Sequence, residues 1–95
     1  FKAFKNEMGS AGVGKEWHHI VEQNQIGRSG FSAQQIHNTN NLIPIDASSH
    51  RLISGYYSSK QAFTSGMTVR NWLAGQSFAK QYQFGLNTLK WLGIL

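Results

Sequence analysis

The four histidines of this chain, His18, His19, His37 and His50, all lie between positions 18 and 50, and Asn41 falls among them. Near neutral pH imidazole is the side chain best suited both to moving a proton and to holding a divalent ion. His18 and His19 are adjacent within Glu16 to Val21, a segment whose aromatic and β-branched content predicts a short strand. Successive side chains of a strand point to opposite faces. Such a pair can therefore divide two tasks, one ring holding a metal ion on the inner side and the other reaching a substrate phosphate on the outer side.

Short elements must position these rings. Phe1 to Glu7 is expected to form a short helix with Phe1 and Phe4 on one face, and residues 9–14 a flexible glycine-rich loop. Residues 24–30, with Gly27 and Gly30, read as a loop. Ser32 is suited to cap a turn of helix through His37, and residues 38–41 mark a turn. Leu42-Ile43-Pro44-Ile45 reads as a second strand, its proline pointing to an edge position. Asp46, Ser48 or Ser49 can cap the next helix, which carries His50, Leu52, Ile53 and Tyr57, although Gly55 weakens it. Thr68 to Ala74 predicts a short helix ending at Gly75. Ser77 caps a longer one, with Phe78, Tyr82, Gly85, Leu86, Leu89 and Leu92 at helical spacing. Short strands and a helix flanked by helices make an α+β pattern rather than an alternating one.

Ninety-five residues allow one domain, 1–95, able to bury roughly two-thirds of its unfolded surface. An apolar share of 40% favours a folded chain over a disordered one. The absence of cysteine excludes disulfides and thiolate zinc sites and leaves the redox compartment open. The net charge of +5 is unevenly placed. In residues 1–46, Lys2, Lys5, Lys15 and Arg28 balance Glu7, Glu16, Glu22 and Asp46. Residues 47–95 carry Arg51, Lys60, Arg70, Lys80 and Lys90 and no acid. That half suits a surface facing a polyanion, since neutralised phosphates release counterions. A high-pI domain without such a role, or an acidic protein partner, fits the same charge. No stretch has the apolar length of a membrane span, and no signal peptide is visible. A start at Phe1 is what a piece of a longer protein would show.

Trp17-His18-His19-Ile20-Val21, then Asn41-Leu42-Ile43-Pro44-Ile45, then His50 nine residues after Asn41, resembles the HNH/endonuclease VII nuclease superfamily, the ββα-metal fold. The likeness leans towards the His-His nucleases at the C-termini of bacterial polymorphic and contact-dependent toxins. It covers about residues 15–58 and leaves a helical extension of about 66–93 unmatched. The resemblance implies a ββα-metal core, a short antiparallel hairpin plus a helix, flanked by helices. It also implies a metal-dependent endonuclease acting on nucleic acid, DNA or RNA.

Phosphodiester hydrolysis needs an activated water, stabilised charge on the phosphate and help for the leaving oxygen. By resemblance, His18 and His50 are the ligands of one divalent ion: zinc, magnesium, nickel or manganese. Two imidazoles suit magnesium least. His19 is then the general base, its other nitrogen fixed by a backbone carbonyl, and Asn41 braces the loop between strands. Arg51 is a candidate phosphate clamp, with Lys60 and Tyr57 as further nucleic-acid contacts. The chain departs from the pattern in two places. The gap from His19 to Asn41 is longer than in compact members, and Ser54 stands where three-histidine members carry another ligand. Glu22 is expected to be solvated, His37 to make a structural hydrogen bond, and Trp17, Trp72 and Trp91 to pack in the core. The resemblance further implies export within a larger toxin, action in the target-cell cytoplasm, and a cognate immunity protein. Two other readings use the same residues: a metal-independent histidine ribonuclease, and a non-catalytic basic nucleic-acid-binding module.

Overall fold

In the computed structural model, which describes residues 12–95, two antiparallel strands and the helix that follows them form the frame of an α+β fold. The helix expected at Phe1 to Glu7 lies outside the described residues. Strand β1 (Lys15–His19) pairs with β2 (Leu42–Asp46) from Lys15 opposite Asp46 to His19 opposite Leu42. Directly opposed residues share a face. Glu16 and His18 therefore stand with Ile45 and Ile43, while Trp17 and His19 stand on the other side with Pro44 and Leu42. Among the described residues the sheet has two strands, both edges, so Pro44 costs no ladder bond on its outer side.

Helix α3 (Ala47–Tyr57) starts directly after β2 and packs against both strands. Its N-cap is Asp46, yet the carboxylate makes no capping bond; it pairs with Lys15 at 3.1 Å instead. Gly55 lies on the exposed side and the helix continues through it. The segment between the strands is more ordered than its composition predicts. Residues 24–30 contain a helical turn, α1 (Gln25–Ser29), ended by Gly30 at φ 73°. Gln25 accounts for it: the buried amide donates to the Arg70 carbonyl at 3.1 Å and accepts from Ser29 at 2.5 Å. Helix α2 (Ala33–Ile36) has the expected Ser32 cap, closed into a reciprocal box by Gln35. A 3₁₀ turn, Thr39–Asn41, capped by Asn38, leads into β2.

Beyond α3, a 3₁₀ turn at Ala62–Thr64 precedes α4 (Val69–Leu73) and α5 (Phe78–Trp91). Ser77 caps α5 as expected, and Thr68, read as the first residue of the short helix, instead caps α4. The buried face of α5 is turned from the predicted stripe. Gly85 and Leu89 are on it, but so are Gln81 and Thr88, while Phe78, Tyr82, Leu86 and Leu92 are only half-buried. Gln81 tolerates burial because its amide donates to the Leu73 carbonyl at 2.9 Å and the Gln76 carbonyl at 3.1 Å. Ile20, Ile45, Ile53, Tyr57, Val69, Leu73 and Leu89 form one core cluster, so the strands and the C-terminal helices share a single interior. Trp17 and Trp72 are half-buried, whereas Trp91 is 70% exposed, outside the core in which it was expected. No helix among the described residues is long and apolar enough to cross a membrane.

Candidate active site

Strand alternation sends His18 and His19 to opposite faces of β1, and each meets another imidazole. His18 faces α3, where the His50 ring stands edge-on to it, the centroids 5.4 Å apart and the planes at 76°. His19 faces the segment between the strands, and its Nε2 lies 3.1 Å from Nδ1 of His37. His18, His19 and His50 nonetheless all line one groove of about 910 Å³. Glu16, Glu22 and Arg70 are among its other polar lining residues.

Burial sets the protonation of the strand pair. His18 is 4% exposed and its pKa falls to about 4, first through burial and then through the neighbouring His50 and His19. His19 is also lowered to about 4, through burial and then His37 and His50. Burial lowers His37 as well. Both strand imidazoles are therefore neutral at pH 7, the form in which an imidazole can bind a metal ion or take up a proton.

Asn41 stands behind the groove. Its buried side chain accepts from the Val21 N–H at 2.8 Å and donates to the Val21 and Ile36 carbonyls at 3.1 and 2.8 Å. These bonds tie Val21 to Ile36 across the connection between the strands, where the resemblance implied a bracing role. Of the expected phosphate contacts, Arg51 is exposed on α3 beside His50, outside the groove lining. Lys60 is exposed beyond the helix, bridged through its backbone to Thr68. Tyr57 is not a surface contact. It is 2% exposed, with its ring against Tyr56 and Phe84, because position 57 falls on the same inner face of α3 as Ile53.

Glu22 and Arg70 were missed as a pair. Rather than being solvated, Glu22 is half-buried and takes a two-pronged contact from Arg70, Nε to Oε1 at 2.8 Å and Nη2 to Oε2 at 2.7 Å. Arg70 Nη1 donates to Ser58 at 2.9 Å. The planar fork is geometrically suited to a carboxylate and explains how two charges are accommodated away from water. The excess of base after residue 47 was the available signal for Arg70, but nothing local ties it to Glu22.

Among the described residues no three His, Cys, Asp or Glu side chains converge closely enough to hold a divalent ion. His18 and His50 bring two imidazoles together in the lining of the groove, their ring centroids 5.4 Å apart. Two imidazoles fit an ion of intermediate softness such as zinc, nickel or manganese. No family model, curated protein or solved structure matches the chain.

Proposed function

We propose that the chain is a metal-dependent endonuclease of the ββα-metal type, with His18 and His50 holding one divalent ion and His19 acting as general base. The observation that carries this reading is the convergence of the three imidazoles on one groove, with the two strand rings held neutral by burial. A bound ion there would neutralise charge on the phosphate and stabilise the leaving oxygen. The protein supplies the rest. His19 takes a proton from water through one ring nitrogen while the other is held by His37. Asn41 keeps the backbone at Val21, two residues beyond His19, in place. The basic second half of the chain supplies long-range attraction for a polyanion.

A histidine ribonuclease without metal needs one protonated ring to serve the leaving oxygen; neither strand imidazole is protonated at pH 7, which leaves that role to another group such as His50 beside Glu16. The metal-dependent reading is preferred on the resemblance. By the same resemblance, the domain is the exported toxic tip of a larger bacterial protein that acts in a neighbouring cell's cytoplasm. An acidic immunity protein would mask its basic surface. Purified chain incubated with plasmid DNA, total RNA and tRNA, with EDTA and with zinc, nickel, manganese or magnesium, tests the reading. Cleavage that needs a divalent ion is expected. Cleavage of RNA alone, insensitive to EDTA, would transfer the site to the ribonuclease reading, and inactivity on every substrate would leave a binding module.

A further inference from the structure

Glu16 lines the groove but has no role in the chemistry proposed above, yet its Oε1 lies 2.8 Å from Nδ1 of His50. The contact joins residues far apart in the chain. Glu16 and His18 are two apart on β1 and so share the face that α3 covers, with His50 reaching both. The neighbouring cation does not compete for this carboxylate, since Lys15 pairs with Asp46.

The direction of the bond follows from the chemistry of the partners. A glutamate carboxylate only accepts, so the shared proton belongs to Nδ1 of His50. With Nδ1 as donor, the neutral ring carries its lone pair on Nε2. A carboxylate behind a ligating imidazole fixes both its tautomer and its orientation, and makes the opposite nitrogen a better ligand.

We infer that Glu16 is a positioning residue for the metal centre, holding His50 with its proton on Nδ1 so that Nε2 is presented to the ion. This rests on the proposal that His18 and His50 bind a metal. Glu16 acts through His50 and is not itself a ligand, in keeping with the absence of a converging three-ligand group among the described residues. It also compensates for the missing third histidine at Ser54, because a two-imidazole site depends more heavily on each ligand's alignment.

Calorimetric titration of zinc and of nickel into the whole chain and its variants tests the inference. Glu16→Ala should weaken binding by about 10- to 100-fold, the usual effect of removing such a support. Glu16→Gln keeps an oxygen that accepts from Nδ1–H and should stay within about threefold of the unaltered chain. In metal-free protein, at a pH where His50 is neutral, ¹⁵N shifts should show the proton on Nδ1, and this preference should disappear in Glu16→Ala. Unchanged affinity in Glu16→Ala overturns the inference while leaving the metal reading standing. Glu16→Gln as weak as Glu16→Ala also overturns it, since charge rather than orientation would then be responsible. A loss in Glu16→Gln matching that of His18→Ala would make Glu16 a ligand instead. No binding by the unaltered chain defeats the metal reading itself.

Discussion

Asn41 binds both backbone polar groups of Val21, accepting from its N–H at 2.8 Å and donating to its carbonyl at 3.1 Å. The backbone pairing of β1 with β2 ends at His19 and Leu42, and the Ile20 N–H reaches the Asn41 carbonyl at 2.8 Å. The Asn41 amide thus prolongs the pairing past the histidine pair and closes the long connection against it. Asn41→Ala removes these bonds and the one to Ile36, leaving buried backbone groups unpaired at about 1–3 kcal/mol each. A loss of roughly 3 kcal/mol or more in urea denaturation is expected. Asn41→Asp should fare no better, because a carboxylate cannot donate to the two carbonyls.

Gly85 lets α5 approach β1's exit from behind. A Cβ there would sit 2.5 Å from the Ile20 carbonyl oxygen and 2.8 Å from Ile20 Cγ2. Gly85→Ala gains about 1 kcal/mol in helix propensity. The clash is with backbone that cannot rotate away, and overpacking of this kind costs about 1–3 kcal/mol. We expect a net loss of up to about 2 kcal/mol in thermal or urea unfolding, together with shifted His18 and His19 resonances. A stabilised variant would contradict the close approach.

The depressed strand histidines make stability depend on pH. In the unfolded chain each ring takes up its proton near pH 6.5, whereas in the folded protein His18 and His19 resist it down to about 4. The unfolded state therefore binds more protons between these values, and stability falls as pH drops through the window. The imidazoles facing the pair all act in the same sense as burial: His50 and His19 lower His18, and His37 and His50 lower His19. For metal-free protein, the slope is at most about 1.4 kcal/mol per pH unit for each ring. Urea midpoints measured from pH 7 to 4.5 should decline; a flat profile would show that neither ring is buried as described.

His19→Ala should lower cleavage by at least about 100-fold, the lower range for removal of a general base. Zinc affinity should change little, because His18 and His50 remain. The metal titration and the cleavage rate need to be read on the same preparation. Turnover at the unaltered rate would remove His19 from the chemistry.

Ser54 lies one turn after His50 on the uninterrupted helix and borders the groove. Ser54→His should place a third imidazole on the same side and tighten zinc binding by about tenfold or more. Turnover should slow if that ring takes a coordination position otherwise open to water. Unchanged zinc affinity would count against His50 as a ligand.

Much of this arrangement was legible in the chain because it depends on short-range physics. Strand alternation separates His18 from His19 over one peptide bond, and Ser32, Thr68 and Ser77 cap helices through bonds to the next turn. The Asn41-to-His50 spacing spans one strand and the helix directly after it, so it too survives as a local signal. What only the tertiary structure decided concerns partners brought together from distant positions. Nothing near Glu22 foretells Arg70, and nothing near His50 foretells Glu16. Tyr57 is spaced along α3 like a possible surface contact, but the phase at which the helix lies on the sheet turns it inward. The face of α5 is likewise set by the fit of Gly85 against Ile20, which buries Gln81 and Thr88 and leaves Phe78 half-exposed. Alternation and capping are properties of neighbouring residues. Rotation of a helix against its support, and the ion pairs that this rotation permits, are set only when the whole core packs.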